Sequence, residues 1–195
     1  MQPSLGNKLM ATVFISGSMS IKHLHPEVKA RIDNIVVSGL DIVVGDADGV
    51  DASIQEYLKA HGGSRITVYC SGSLPRNNIG HWPIWTVQTK HTEGSRGFFT
   101  AKDLAMAEAA DYGLMIWDTK SAGTLSNVLE LLSRKKKSVI FINKEKVFKT
   151  ITNVDELEAL ISCMSPHARA KADEKIKLSD RLLSLKHEQS ELFII

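Results

Sequence analysis

The stretch IVVGDADGVDASI, residues 42–54, decides the fold. An apolar run leads into a loop of glycine, alanine and aspartate, and a helical pattern begins immediately after it. Open α/β sheets build ligand sites in this way, because a buried strand ends in small residues beside a helix N-terminus whose N–H groups and dipole attract phosphate. The three aspartates of the stretch need a separate explanation, since carboxylates repel phosphate.

Other apolar runs repeat this pattern along the chain, and helical patterns separate most of them. Continuous apolar strands joined by helices predict a mostly parallel sheet with helices on both faces. The sequence therefore predicts an α/β, Rossmann-like doubly wound fold. The predicted strands are residues 10–16, 41–45, 65–70, 84–89, 112–117 and 138–143, and the predicted helices lie near residues 26–38, 49–61, 100–110 and 123–136.

The chain is predicted to divide into two parts. Residues 1–150 form the Rossmann-like domain, and residues 151–195 form a C-terminal helical extension. Within the domain, residues 71–99 form a long irregular connection around one weak strand. Long loops in compact domains are either functional or disordered, and the tryptophans of this loop favour an ordered structure.

The pattern becomes wholly helical after residue 143, ahead of the extension. Asn153 is predicted to cap one helix, and Ser165 followed by Pro166 to begin a second helix that runs to about residue 189. An apolar stripe on this tail can pack on the domain or pair with a second copy in a homo-oligomer, and both alternatives stay open. The stripe comprises Ile176, Leu178, Leu182, Leu183 and Leu185.

Composition restricts the function classes. The formal net charge of +2 is too small for the strong field of a dedicated nucleic-acid binder and argues against a nucleic-acid partner. The two cysteines, Cys70 and Cys163, lie outside any CxxC pattern and the histidines show no HxxxH or HExxH spacing, so no metal is predicted. No GxxxxGK[ST] loop or full GxGxxG fingerprint is present, and no cofactor is predicted. The apolar run at residues 10–15 is too short for a signal peptide or a membrane span, and a cytoplasmic protein without membrane association is expected.

Three loops are predicted to meet at the carboxyl edge of the sheet, where open α/β sheets bind ligands. They are residues 16–20 (SGSMS), 45–51 (GDADGVD) and 118–127 (DTKSAGTLSN). Their small residues let a ligand approach the backbone, and the third loop opens a helix. The candidate ligand-binding residues of these loops are Gly17, Ser18, Met19, Ser20, Gly45, Asp46, Ala47, Gly49, Ser121, Gly123, Thr124 and Asn127.

The three aspartates of the second loop receive separate interpretations. Asp48 is predicted to cap the following helix and Asp51 to brace its first turn, since acids are favourable near a helix N-terminus. Asp46 either contacts a ribose hydroxyl or braces the neighbouring loop, and both alternatives stay open.

The motifs GSMS at 17–20, GDADGVD at 45–51 and SAGT at 121–124 resemble those of the SLOG superfamily. This Rossmann-like group includes the DNA-processing protein DprA, the LOG phosphoribohydrolases and the YspA/YpsA-like proteins, and the last branch is the nearest match. The resemblance covers about residues 10–143. It implies a nucleotide or a nucleotide-derived small molecule as the ligand, held across the three loops.

The LOG enzymes cleave the N-glycosidic bond of a nucleotide, and their pattern PGGxGTxxE ends in a glutamate. In this chain Asn127 stands at the glutamate position and Lys102 at the position of an arginine. Such cleavage needs a carboxylate near the developing positive charge, and Glu93 and Asp118 are the candidate catalytic residues. Arg96 is a candidate phosphate ligand. Trp82, Trp85, Phe98 and Phe99 either stack on a base or pack in the core.

Three functions follow from this interpretation. The first is hydrolysis or transfer at the N-glycosidic bond of a nucleotide. The second is a non-catalytic sensor of a nucleotide signal, which the missing LOG glutamate favours. The third is DprA-like binding of single-stranded DNA, which the low net charge makes the weakest of the three.

Overall fold

The computed structural model describes residues 10–191, and the side chains of residues 10–188. Parts of the two predicted units, before residue 10 and after residue 191, lie outside these described residues. The strands are β1 (Thr12–Gly17), β2 (Asp41–Gly45), β3 (Ile66–Ser71), β4 (Ile84–Val87), β5 (Tyr112–Trp117), β6 (Lys137–Ile142) and β7 (Val147–Ile151). The helices are α1 (Pro26–Val37), α2 (Val50–Ala60), α3 (Arg96–Ala109), α4 (Ala122–Ser133), α5 (Val154–Ile161), α6 (Pro166–Ile176) and α7 (Leu178–Glu191).

The strands form one sheet in the order β4-β3-β2-β1-β5-β6-β7. Strands β1 to β6 run parallel, and β7 pairs antiparallel with β6. The chain moves outward from β1 to β4 and then returns to the other side of β1 at β5. The predicted α/β, Rossmann-like doubly wound fold is therefore confirmed. Ligands bind such sheets at the carboxyl edge where the strand order reverses, here between β1 and β5.

Helices cover both faces of the sheet because successive strand residues point to opposite sides. On β1, Phe14 faces the core that α3 and α4 cover, and Ile15 faces the core that α1 and α2 cover. Both side chains are fully buried. This two-sided burial explains why the central strands read as continuous apolar runs in the sequence.

The C-terminal helices pack within the chain on the side of α4. Helix α6 contacts α4 and α7, and four residues of the predicted apolar stripe are buried there: Ile176, Leu178, Leu182 and Leu185. Leu183 is 58% exposed. The Arg181 guanidinium fastens α7 to α4 by donating to the Ser126 hydroxyl at 2.9 Å and the Glu130 carboxylate at 2.5 Å. Packing on the domain thus uses most of the stripe, and a homo-oligomer stays a prediction.

The tail departs from the sequence prediction in two places. Residues after 143 are not wholly helical, because β7 extends the sheet after a turn that ends at Lys146 with a φ of +59°. The predicted single helix from Ser165 is also wrong, because Lys177 adopts a left-handed conformation (φ +52°) and separates α6 from α7. The Asp173 carboxylate accepts hydrogen bonds from the N–H and hydroxyl of Ser179 and stabilises this corner.

No helix in the described part of the chain is long and apolar enough to cross a membrane.

Helix α2 begins at a glycine rather than at a side-chain cap. Gly49 is the N-cap, with φ +75° and ψ −124°, so the prediction that Asp48 caps this helix is wrong. The Asp48 carboxylate instead accepts a hydrogen bond from the Asn77 amide at 3.0 Å. A Cβ at Gly49 would lie 2.3 Å from the carbonyl oxygen of Met19, so the first two loops are packed backbone against backbone.

We expect the substitution Gly49→Ala to destabilise the fold far more than Gly62→Ala. Both glycines have positive φ, and nothing lies within 4 Å of a Cβ at Gly62. In the control variant Gly62→Ala, backbone strain should therefore lower the free energy of unfolding by about 1 kcal/mol. In Gly49→Ala, the added clash with backbone atoms should lower the free energy of unfolding by at least about 3 kcal/mol. Urea unfolding of both variants measures the difference, and equal losses would contradict the close approach of the loops.

Candidate functional site

A cavity of about 600 Å³ opens at the carboxyl edge of the sheet, beside the reversal of strand order. The loops after β1, β2 and β5 and the helices α3, α4 and α6 contribute to its lining. This volume suits a small organic ligand. Nine of the candidate residues line it: Gly17, Met19, Ala47, Arg96, Lys102, Ser121, Gly123, Thr124 and Asn127.

The other candidates lie outside this lining. They are Ser18, Ser20, Gly45, Asp46 and Gly49 among the ligand-binding candidates, and Glu93 and Asp118 among the catalytic ones. Glu93 is exposed in the turn before α3. Asp118 borders a separate surface pocket with Lys144 and Cys163. The structure therefore brings neither predicted catalytic carboxylate into the cavity.

Ser18, Ser20 and Asp118 fasten the first loop to the third. The Ser18 hydroxyl accepts from the backbone N–H of Asp118 at 3.1 Å, and the Ser20 hydroxyl donates to the Asp118 carboxylate at 2.6 Å. Burial alone would raise the pKa of Asp118, but this hydroxyl and the N–H groups of Lys120 and Ser121 together hold it below its ordinary value. Asp118 is thus a stably ionised organiser of the loop.

Lys102 lies at the centre of a buried charge cluster. Its ammonium lies 2.8 Å from the Asp103 carboxylate, 3.9 Å from that of Asp46 and 4.0 Å from that of Asp51. Burial alone would lower the pKa of Lys102, but the Asp103 and Asp51 carboxylates outweigh it and raise the pKa. The residue at the position of the LOG arginine is therefore already neutralised by the protein itself.

Asp51 lies in the first turn of α2, and its side chain is buried. It is 2% exposed, it lines the cavity, and its carboxylate accepts a hydrogen bond from the Ser16 hydroxyl at 2.8 Å. Burial raises the pKa of Asp51 to about 6, against the attraction of Lys102. The Asp51 carboxylate, which lines the cavity, therefore changes its charge near neutral pH.

The glycine of the second loop makes room for this cluster. A Cβ at Gly45 would lie 2.4 Å from the Asp51 carboxylate and 2.7 Å from the Lys102 ammonium. Gly45, which the sequence analysis predicts to contact a ligand, thus lies against buried charged side chains of the protein itself.

Asp46 braces the neighbouring loop, which is one of its two predicted roles. Its carboxylate accepts from the backbone N–H of Arg76 at 3.0 Å and pairs with the Arg76 guanidinium at 2.9 Å. Burial alone would raise the pKa of Asp46, but the hydrogen bonds from Arg76 lower it. The Arg76 guanidinium also lies over the ring of Phe99, 4.6 Å from its centroid, and both residues line the cavity.

The start of α4 presents unpaired polar groups to the cavity. The Ser121 hydroxyl caps the helix by accepting from the N–H of Thr124. The N–H groups of Ala122 and Gly123 bond to no acceptor among the described residues, as expected for a first helical turn. Asn127 is 5% exposed, and its side-chain amide forms no hydrogen bond within the described part of the chain. A Cβ at Gly123 would point into open space, with only the Ser121 hydroxyl within 4 Å.

Cations dominate the charge of the cavity lining. The pattern of the sequence identified Arg96 and Lys102, but it missed Arg76, Lys120, Lys171 and Lys175. Only two carboxylates, Asp51 and Asp103, line the cavity among the described residues. Lys171 and Lys175 come from α6, and no strand-end motif signals a helix that follows the sheet. Their spacing of four residues on one helix was the single available signal.

The aromatic candidates separate in space. Phe99 lines the cavity, whereas Phe98 is buried beneath it. Trp82 donates from its indole nitrogen to the carbonyl of Gly63, and Trp85 lies on the edge strand β4. Only Phe99 of the four is therefore placed to contact a ligand in the cavity. No group of three or more His, Cys, Asp or Glu side chains that could hold a metal ion occurs in the described range.

We expect the stability of Asp51→Asn relative to the unsubstituted protein to depend on pH. The pKa of Asp51 rises from an ordinary 3.8 to about 6 on folding, so its contribution to stability is present below about pH 4 and is lost as the pH rises through 6. Asparagine has no such loss. Between pH 4 and pH 7, the free energy of unfolding of Asp51→Asn should rise relative to that of the unsubstituted protein by up to about 3 kcal/mol, as measured by urea unfolding. A difference that stays constant over this range would show that Asp51 is not titrating as described.

Comparison with known proteins supports the fold and leaves the family open. No protein-family model and no curated protein sequence matches the chain. Its fold is similar to that of DNA processing protein A from Helicobacter pylori, a protein that binds single-stranded DNA, with a TM-score of 0.51 and 20% sequence identity. The match covers 67% of this chain and 64% of that protein. The chain therefore has a DprA-like, Rossmann-like fold.

Proposed function

We propose that the cavity binds the phosphate and sugar of a nucleotide. The observation that carries the proposal is Asn127, which lines the cavity and whose side-chain amide has no hydrogen-bond partner among the described residues. The amide nitrogen and oxygen of Asn127 are not fully enclosed by the protein, so both are open to a ligand in the cavity. A ribose hydroxyl can both donate to the oxygen and accept from the nitrogen of this amide.

The start of α4 supports the phosphate half of the proposal. The N–H groups of Ala122 and Gly123 carry the positive end of the helix dipole, and they lie in the wall that Asn127 shares. A glycine whose missing side chain leaves open space at this point lets a phosphate approach the backbone. The exposed Gly123 is thus suited to contact a phosphate group.

Phe99 and Met19 offer an apolar surface for the base of a nucleotide. Both side chains line the cavity, and they are 37% and 57% exposed. A base gains about 1–3 kcal/mol by stacking on an aromatic ring. The cavity therefore offers an apolar surface and an anion-binding helix start within one volume, which is the combination that a nucleotide needs.

We expect Gly123→Leu to block binding and leave the fold intact. The leucine side chain would occupy open space at the start of α4, where glycine is the poorer helix former. Affinity for nucleoside mono-, di- and triphosphates, measured by isothermal titration calorimetry, should fall at least about tenfold. Ser133→Leu, an exposed position at the other end of α4, is the matched control and should bind normally. Unchanged affinity in the Gly123 variant, or no binding by the unsubstituted protein, would contradict the proposal.

Single-stranded DNA is the second candidate ligand, and the fold of DNA processing protein A favours it. The net charge of +2 argues against nucleic acid only as an average over the whole chain. Locally, six cations and two carboxylates line the cavity. Strands of nucleic acid bind where such charge is combined with an aromatic surface, and Phe99 supplies one here.

We expect a ten-nucleotide oligothymidylate to compete with a nucleotide for the cavity if DNA is the ligand. Fluorescence anisotropy of the labelled oligomer should then show binding that weakens steeply with salt and falls in the Gly123 variant. Oligomer binding that a saturating nucleotide leaves unchanged would place DNA elsewhere on the surface. Nucleotide binding without oligomer binding would remove this second candidate.

N-glycosidic cleavage is not part of the proposal. That reaction needs a carboxylate beside the bond that breaks, and Glu93 and Asp118 do not line the cavity. The carboxylates that do, Asp51 and Asp103, lie beside Lys102. Binding without cleavage corresponds to the nucleotide sensor. Membership of the YspA/YpsA-like branch rests on the sequence motifs and stays a prediction.

We also propose that the two predicted units, residues 1–150 and 151–195, form the site together. The first unit supplies the strand-end loops and α4, and the second supplies Lys171 and Lys175 of α6.

A further inference from the structure

Four of the cations that line the cavity form no ion pair with a described side chain. Lys102 is neutralised by Asp103, and Arg76 is paired with Asp46. By contrast, no described residue forms an ion pair with any of the remaining four cations. These four are Arg96, Lys120, Lys171 and Lys175.

The unpaired cations come from separate elements that fold to one place. Arg96 begins α3, Lys120 lies in the loop before α4, and Lys171 and Lys175 lie on α6. Helix α4 packs against both α3 and α6, which brings all four to the same cavity. Like charges four residues apart on a helix destabilise it by a few tenths of a kcal/mol. The arrangement therefore carries a small cost that an anion in the cavity would remove.

A nucleoside monophosphate carries too little negative charge to balance these four cations. A phosphate monoester carries about two negative charges at neutral pH. The start of α4 already provides a site for that group, so Lys171 and Lys175 remain without a counter-charge. Each further phosphoryl group adds negative charge within reach of the same cavity.

The lysines are held in place by the packing of α6. Ala168, Ala172 and Ile176 of this helix are buried against the domain. Lys171 and Lys175 lie next to these anchors in the sequence and lie on the side of the helix that borders the cavity. The acids of the same helix are not in the lining, and one of them, Asp173, accepts hydrogen bonds from Ser179. The α6 surface at the cavity is therefore positive without compensation.

We propose that Lys171 and Lys175 form a second anion-binding subsite, and that the ligand is a nucleotide carrying two or more phosphoryl groups. The first phosphoryl group binds at the start of α4, and the next binds between this point and α6. This inference rests on the proposed function, because it assumes that the cavity holds the nucleotide.

Inorganic anions test the subsite without knowledge of the base. We would measure the affinities of orthophosphate, pyrophosphate and tripolyphosphate by isothermal titration calorimetry. The unsubstituted protein should bind tripolyphosphate at least about tenfold more tightly than orthophosphate. Lys171→Ala/Lys175→Ala should lose most of that preference and keep its orthophosphate affinity within about threefold.

The control is Lys59→Ala/Lys137→Ala, which removes the same charge from exposed positions outside the cavity. It should retain the preference for tripolyphosphate. An equal loss in both double variants, or an unsubstituted protein that binds orthophosphate as tightly as tripolyphosphate, would overturn the subsite and leave the proposed function standing. Failure of the protein to bind any anion or nucleotide would overturn both.

Discussion

The structure depends on one buried ammonium group. Lys102 and its carboxylate neighbours lie in the interior, where unpaired charges are unfavourable, so the elements that carry them must stay together. Asp46 and Asp51 follow β2, and Lys102 and Asp103 belong to α3. The cluster thereby fixes α3 over the carboxyl edge of the sheet. A side chain at position 45 would collide with this charge cluster, so glycine is required there.

The polar groups of the loops at this edge fall into two sets. One set forms hydrogen bonds within the protein, and the other remains available to a ligand. Ser18 and Ser20 bond to the loop after β5, and Asp46 bonds to the loop after β3. Their hydrogen-bonding capacity is used within the protein, so they shape the cavity and do not line it. Among the described residues that line the cavity, the groups without a partner in the protein include the N–H groups at the start of α4, the Asn127 amide and the exposed cations. A ligand is selected by these remaining groups, and they are suited to an anion.

Local patterns determined how much could be predicted. The central strands and the order of their loops were readable, because two-sided burial makes each strand apolar throughout. Strand β7 was not, since its residues are mostly exposed at the sheet edge and carry no apolar run. The burial of Asp51 depends on Lys102, which is distant in sequence. Lys171 and Lys175 read as ordinary surface lysines, and only the packing of α6 on α4 places them at the cavity.

The corner at Lys177 connects two helices that have different contacts. Helix α7 is fastened to α4 through Arg181, and α6, on the other side of the corner, carries two of the cavity's charges. Because α6 packs against both α4 and α7, the contacts of Arg181 contribute to the position of the helix that carries those charges. The charge of the cavity wall therefore depends on the docking of the last described helix, although no described side chain of that helix lines the cavity.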